Sequence, residues 1–467
     1  MRLLSIILSI TLSSISILAE NQSLSTDIKM QNMHLSMEVF LSNQVKNRGV
    51  SAAAWLRFRN TSNKPIKDIT FLLNPGLTVT KVIGTKNQSL RFSSQVGNIK
   101  GGNLNLNINK ITLIHAVQPN NSTELSIQYK GDLKSLAIYD DTLPIDTLTP
   151  GFTMIRMENF IYPIIANPTI KAIEDYKTHQ RYTPTAKITV PQGYSLAGNA
   201  VEQKRTLTGT REQIELRGNT PFYGLTLGLG KYTKLINSAV THYYLNQNDN
   251  AALMANNEIN ELIKTYNQLL GVKREKKRYI LSELASPYTA KSGTGFDFIL
   301  SGDYSGINFK NRLAKFWQIK NYDNSQHGWH LALTQILENF DNVTEFGADK
   351  FNNLRNIIEN NPKLGKIAFK KYDEEGYENQ LTDAYGLLFA VMHEVLGKDR
   401  FWHLLKNFRD EFGQQGANNE DLYKHLKTNI KNKKVKKLMI DWINKGRIIK
   451  SFEKADSFKT LIERVKI

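Results

Sequence analysis

Hydrophobic and polar residues alternate along the first half of the chain in runs that predict β-strands. Successive residues of a strand point to opposite faces of a sheet, so such alternation indicates strands with one buried face. Asn, Gly and Pro residues typical of turns separate the runs. The clearest runs are 50–60, 68–84, 103–117, 123–133, 184–201 and 220–235. Because no long stretch here has helical periodicity, we predict an all-β N-terminal domain over residues 25–238.

The pattern changes to helical spacing after residue 240. Apolar residues recur at that spacing over 251–271, and the run ends in Gly271, a residue that favours the C-terminal cap of a helix. Strand-like runs follow at 278–284 and 296–309, and further helices are predicted over 326–340, 349–360, 380–396, 398–412, 419–429 and 433–445. We therefore predict a multidomain protein, with an α-rich domain containing a small sheet over 245–450 and a C-terminal tail or helix over 451–467.

The N-terminus has the pattern of a secretory signal over residues 1–19. Arg2 supplies a basic start, Leu3–Leu18 is apolar with interspersed serines, and Ala19 is a small residue suited to cleavage. A membrane anchor is the alternative, but the segment is short for a span. We expect an exported protein, periplasmic or secreted, with no transmembrane span in the mature chain.

Composition limits the chemistry available to an exported chain. The sequence contains no cysteine, which excludes disulfides and thiolate metal sites, so a zinc ion would need His, Asp or Glu ligands. The formal net charge of +18 would suit an anionic partner. However, the densest basic run, 431–437, adjoins apolar residues and indicates the solvated face of an amphipathic helix. We expect no nucleic-acid partner.

Several stretches of the sequence, taken in their order along the chain, resemble segments of a known protein family. These stretches are 116–133, 160–168, 186–200, 221–232, 258–271, 278–284, 384–412 and 417–426. In this order and spacing they resemble segments of the aminopeptidase N family of zinc metallopeptidases, the gluzincins, over about 30–450. The resemblance implies a saddle-like β-domain, a thermolysin-like α-rich domain and an interdomain groove that binds a peptide or protein ligand.

The resemblance also implies a zinc site on one helix. In this family an H-E-x-x-H segment supplies two zinc ligands and a general base, and a later glutamate is the third ligand. With His330 as the first histidine, Leu331 stands at the base position and Thr334 at the second ligand. The third ligand then falls near Asn352 and Asn353, and amides are poor zinc ligands compared with carboxylates.

Other registers of the same helix do not restore the motif. With His327 as the first histidine, Gly328 and Leu331 occupy the base and second-ligand positions. With His330 as the second histidine, Gln326 stands at the first ligand and His327 at the base. We therefore interpret the segment as a zinc motif that has been lost.

An unconventional metal site remains the alternative for His327 and His330. The two histidines are three residues apart and so share one face of a helix. A third ligand would have to come from elsewhere, such as Asp303, Asp349 or Glu345. Without such a ligand we expect a half-buried pair that makes hydrogen bonds.

The resemblance implies two further catalytic positions. At the glutamate that binds the free amine of a peptide, the register places Gly306, and Asp303 is a nearby acid that could partly substitute. At the tyrosine that stabilises the oxyanion, the register places Thr382, with Tyr385 three residues later. Asp303 and Tyr385 are therefore weak catalytic candidates.

Two motif-like matches are interpreted as coincidence. The His393-Glu394 pair is followed by Gly397 where a second histidine would be needed. The Met-Glu-Asn sequence at 157–159, which resembles part of the family's amine-binding strand, lies in the β-domain.

These observations favour an exported aminopeptidase N-like protein without peptidase activity, a pseudoenzyme that binds peptides or proteins and needs no cofactor. The first alternative is an active zinc-dependent aminopeptidase with unconventional ligands. The second is an interaction module of the cell envelope that uses the surface of the β-domain.

Overall fold

The computed structural model describes residues 24–138, 145–219, 221–245, 249–271, 278–290, 296–301, 304, 307–314, 328–371, 377–412 and 417–466. The chain forms two compact units. The first unit extends to Tyr232 and also includes Leu284–Ala290, and the second comprises Thr233–Glu283 and the chain after Ala290. The predicted order, a β-rich N-terminal part followed by a helix-rich C-terminal part, is confirmed.

The first unit is built from three sheets. Its strands are β1 Ile28–Phe40, β2 Gly49–Asn60, β3 Ile66–Leu73, β4 Leu77–Ile83, β5 Phe92–Asn98, β6 Asn105–Val117, β7 Ser122–Gly131, β8 Thr153–Arg156, β9 Ile164–Ile165, β10 Thr185–Pro191, β11 Ser195–Gly198, β12 Ala200–Thr208, β13 Arg211–Gly218 and β14 Thr226–Gly230. Their orders are β12-β13-β10-β1-β2-β7-β4, β5-β6-β3-β9 and β11-β14-β8. Along β1 and β2 buried and exposed residues alternate, as the sequence pattern predicts.

The predicted β-rich character of this unit is confirmed, with two differences in detail. The run 68–84 is not one strand, because the chain turns after Asn74 and its halves, β3 and β4, belong to different sheets. The unit also contains helices, the short α1 Leu24–Asp27 and the ten-residue α2 Ile170–His179. The side chain of Thr169 caps α2 by accepting a hydrogen bond from the Ala172 amide at 3.1 Å.

The second unit combines one small sheet with a set of helices. Its strands are β15 Thr233–Ile236, β16 Val240–Tyr244, β17 Tyr279–Leu284 and β18 Phe296–Leu300, in that order in the sheet. Its helices are α3 Asp249–Leu270, α4 Phe309–Ala314, α5 Gly328–Glu338, α6 Val343–Asn360, α7 Glu378–Leu396, α8 Lys398–Phe412, α9 Asn419–Asn429, α10 Lys433–Ile443, α11 Ile449–Phe452 and α12 Phe458–Lys466. The small sheet and the predicted helices are confirmed, although α6 begins earlier than predicted and the strand predicted over 296–309 ends at Leu300.

Within the residues that the structure describes, no helix combines the length and apolarity needed to cross a membrane. The signal segment predicted over 1–19 lies outside the described residues.

Gly328 allows the start of α5 to pack closely against α7. A Cβ atom at this position would lie 2.7 Å from Leu381 Cγ and 2.8 Å from the Leu381 carbonyl carbon. We expect Gly328→Ala to lower the free energy of unfolding by about 1–3 kcal/mol, because the two helix backbones must separate to admit the methyl group. The denaturant midpoint measures this loss.

Gly151→Ala is the matched control, because no atom lies within 4 Å of a Cβ built there. That variant should be as stable as the wild type or slightly more stable. Equal midpoints for the two variants would contradict the close packing at Gly328.

Candidate functional site

The helix that carries His330 is α5, and its histidine faces the protein interior. Apart from Gln335, Leu331 and its terminal Glu338, α5 consists of buried residues, as expected for a helix that is apolar on most faces. The His330 ring is 6% exposed and stacks on the Trp329 ring, with centroids 3.6 Å apart and planes inclined by 24°. Position 330 is therefore packed against an indole.

The two residues that follow His330 in the motif register lack the required chemistry. Leu331 is half-buried and carries an alkyl side chain where the family has its general base. The Thr334 hydroxyl donates to the His330 carbonyl at 3.1 Å, as threonines in helices commonly do. Neither side chain can polarise a zinc-bound water or provide an imidazole nitrogen.

The acidic and amide candidates for a third ligand lie on α6. Asn352, Asn353, Glu345 and Asp349 are all exposed, and Glu345 accepts a hydrogen bond from Asn342. His327 and Asp303 lie outside the described residues. Among the residues that are described, no three His, Asp or Glu side chains are arranged to hold a metal ion.

Tyr385 lies inside α7 and belongs to the apolar core of the second unit. It is 1% exposed and packs edge-on against Phe369, with ring centroids 5.2 Å apart, and beside Phe389 at 6.0 Å. Thr382, which the motif register places at the tyrosine position, is also buried. The surroundings of Tyr385 are thus those of a packed aromatic residue.

The two motif-like matches make structural contacts. Glu394 lies 3.1 Å from His393 Nδ1 and accepts a hydrogen bond from Thr344 at 3.0 Å, which joins the end of α7 to the start of α6. Gly397, with φ of 86°, caps α7. In the first unit, residues 157–159 form one turn of 3₁₀ helix, and Glu158 accepts a hydrogen bond from the Tyr223 hydroxyl at 2.5 Å.

The structure also reveals a buried polar cluster that the sequence analysis missed, at the ends of the parallel strands β16 and β17. Tyr304 Oη lies 3.1 Å from His242 Nε2 and donates to one oxygen of Glu283. Ser301 Oγ and the Leu245 amide donate to the other Glu283 oxygen, each at 2.8 Å. Three donors therefore converge on one buried carboxylate.

Burial sets the protonation of this cluster. Desolvation lowers the pKa of His242 to about 4, although Glu283 acts in the opposite direction. Burial and the hydrogen bond to Glu283 raise the pKa of Tyr304 above its ordinary value. The cluster thus holds a neutral imidazole and a protonated phenol at neutral pH. A histidine and a glutamate within strand segments that otherwise carry no acidic or basic residue, THYY and ILSEL, are the sequence signal that could have identified it.

Solved structures with a similar fold are M1 zinc metallopeptidases. A variant of the enzyme from Deinococcus radiodurans bound to a Tyr-Ser-Ala substrate matches with a TM-score of 0.56 and 14% identity, over 90% of this chain and 95% of that chain. The M1 zinc metallopeptidase from the same organism matches with a TM-score of 0.54 and 14% identity, over 89% and 93%. A two-domain M1 zinc metallopeptidase variant bound to L-arginine gives 0.54 and 14%, over 89% and 94%.

No sequence-family model matches the chain, and no curated protein sequence matches it significantly. At 14% identity the likeness to solved structures shows the fold alone. The chain therefore has the fold of the M1 zinc metallopeptidases, as the resemblance in its sequence predicts.

Proposed function

We propose that the chain is an exported pseudoenzyme of aminopeptidase N-like fold, with a saddle-like first domain and a thermolysin-like second domain. It binds a peptide or protein segment in the groove that the resemblance implies and does not hydrolyse it. The observation that supports this proposal most directly is the α5 helix, on which His330 stacks against Trp329 while Leu331 and Thr334 occupy the base and second-ligand positions.

The substitutions on α5 remove two separate parts of the chemistry. Hydrolysis at a zinc centre needs three protein ligands that leave one position open to water, and a carboxylate that takes the proton of that water. An H-E-x-x-H segment does not occur anywhere in the sequence. Loss of these groups does not by itself remove the surfaces that bind a substrate, because other residues supply those surfaces.

The first test is the metal content and peptidase activity of the purified mature protein. After incubation with micromolar zinc and desalting, we expect no stoichiometric zinc and no chelator-sensitive release of amino acids from small peptide reporters. His327→Ala and His330→Gln variants should behave like the wild type in both measurements. About one zinc per chain, lost in either variant, would overturn the proposal and support an aminopeptidase with unconventional ligands.

The binding half of the proposal has a separate test. A ligand that binds only the folded chain stabilises it by about 2.7 kcal/mol at about 100 times its Kd, so a bound peptide should raise the melting temperature. We expect such a rise with some members of a diverse peptide library. If none raises it, peptide binding is wrong, and a partner recovered on the β-domain surface would then support the cell-envelope module.

A further inference from the structure

The helices of the second unit form an open cavity of about 800 Å³, and no residue of α5 is part of its lining. It is formed by the end of α7, one face of α8 and the connection between α9 and α10. The lining includes the buried Leu404 and Ile430 and the half-buried Leu396. The volume is within the range of about 300–1,000 Å³ typical of sites that take small ligands or a few side chains.

Basic side chains surround this apolar floor. Arg400, His403 and Lys431 line the cavity and are exposed, and among the described residues of the lining Asp399 is the one acidic residue. In the part of the chain that the structure describes, Arg400 and Lys431 form no hydrogen bond or ion pair. Their charges are thus available to an anionic ligand, and the low-dielectric floor beside them strengthens the attraction.

An amide in the same lining favours a peptide over a simple anion. Asn407 lines the cavity and is half-exposed, and its side chain bonds to no residue among those described. A side-chain amide offers one acceptor and two donors, which match the N–H and C=O of a peptide group. The lining therefore offers an apolar surface, two exposed cations and, in Asn407, a side-chain amide that bonds to none of the described residues.

We propose that this cavity binds an acidic peptide segment in which an apolar side chain is flanked by aspartate or glutamate. The apolar side chain packs on Leu404 and Ile430, the carboxylates pair with Arg400 and Lys431, and the backbone bonds to Asn407. The concave shape distinguishes this ligand from an anionic membrane, which presents a flat charged surface. The inference does not depend on the proposed function, because no residue of α5 contributes to the cavity.

The test is a fluorescence anisotropy titration of the mature full-length chain with a labelled peptide that carries one leucine between glutamates. We expect saturable binding that Arg400→Glu/Lys431→Glu weakens at least about tenfold, equivalent to about 1.4 kcal/mol. The matched control is Lys29→Glu/Lys67→Glu, which makes the same change in net charge at exposed residues of the first unit. That control should weaken binding less than about twofold, as expected for exposed, screened charges that are not part of the cavity lining.

Two further probes test the contribution of the apolar contact and the preference for a peptide over an anionic membrane. A peptide with serine in place of leucine should bind about tenfold more weakly, because the apolar contact is lost. Phosphatidylserine vesicles should not displace the labelled peptide. Equal loss of binding in the two double variants, equal affinity for the serine peptide, or displacement by the vesicles would each overturn the proposal.

Discussion

Replacing Asp146 by alanine should lower the free energy of unfolding of the first unit by about 3–5 kcal/mol. Asp146 and Arg156 form a buried ion pair whose side chains are 0% and 6% exposed. The contact is bidentate, with Arg156 Nε 2.7 Å from Oδ2 and Nη2 2.9 Å from Oδ1, and Asn159 donates to the same carboxylate at 3.0 Å. Alanine would leave the guanidinium charge in the interior without its countercharge, which is the costly step.

Replacing Asp146 by alanine should also loosen Leu284–Ala290, the segment of the first unit that lies between two parts of the second unit in the sequence. Arg156 also donates to the carbonyl oxygen of Thr289, and the Tyr288 hydroxyl donates to the Phe152 carbonyl at 3.1 Å. Because the buried guanidinium then lacks its countercharge, we expect it to shift from its present position and to weaken its bond to Thr289. Denaturant unfolding measures the stability, and amide hydrogen exchange across 284–290 measures the local effect.

Two control variants distinguish the effect of leaving a buried charge without its partner from the effect of breaking any ion pair. Glu124→Ala removes the partner of Arg57 in a pair with a 3.6 Å separation whose side chains are both more than half exposed, and should cost less than about 1 kcal/mol. Asp146→Ala/Arg156→Met should recover part of the loss, because removing both charges also removes the cost of burying them. That cost is visible in Asp146 itself, since burial raises the pKa of its carboxyl although Arg156 acts against the rise. Equal losses for Asp146→Ala and Glu124→Ala would contradict this account.

The sequence predicts the helices of the second unit more accurately than the strands of the first. For α8 and α9 the predicted and observed bounds are identical, because each is a single amphipathic segment ended by local signals. In α9 these signals include Asn418 and Asp421, which form a reciprocal capping box. Helical hydrogen bonds join residues four apart, so the information needed to place a helix lies within the helix.

The strands depend on partners that are distant in the chain. β3 pairs with β6 and β9, whereas β4 pairs with β7, and nothing within 68–84 reveals that its halves join different sheets. The helix α2 was missed because it is short. It has only ten residues and buries a narrow stripe that includes Ile173 and Tyr176, so its helical periodicity does not stand out in the sequence.

At the candidate site, the sequence establishes which residue types are missing but not what the remaining residues contact. The motif register shows from residue types alone that Leu331 stands at the base position and Thr334 at the second-ligand position. The stacking of His330 on Trp329 depends on the helices packed around α5, and no sequence pattern specifies it. The cluster of His242, Glu283 and Tyr304 was missed because its members are about 20–60 residues apart and meet only in the folded chain, His242 and Glu283 through the pairing of β16 with β17.

Acidification from about pH 6.5 to 4 should destabilise the second unit through His242 by up to about 3 kcal/mol. The side chain is fully buried, and burial lowers its pKa from 6.5 to about 4. The unfolded chain therefore takes up a proton near pH 6.5, whereas the folded chain does so only near pH 4. Across this window protons bind preferentially to the unfolded state, so stability falls as the pH falls.

His242→Gln tests this expectation, because glutamine keeps a polar group near Tyr304 and cannot titrate. The variant should be less stable than the wild type at pH 7, and its stability should fall less steeply between pH 6.5 and 4. His115→Gln, which removes an exposed histidine, is the matched control and should retain the wild-type slope. Parallel curves for wild type and His242→Gln would show that burial of the imidazole does not govern this pH range.

The arrangement around His242 also predicts what kind of change acid produces. Tyr304 Oη donates a hydrogen bond to Glu283, so its lone pairs are free to accept a hydrogen bond from the Nε2–H group of His242 when the imidazole becomes charged. The Glu283 carboxylate then lies one hydroxyl away from the new positive charge and partly compensates it. We therefore expect near-ultraviolet circular dichroism to stay native down to about pH 4, where the folded chain takes up this proton, while the unfolding free energy declines. Loss of the native signal before unfolding would mean that the hydrogen bonds of the cluster break when His242 is protonated.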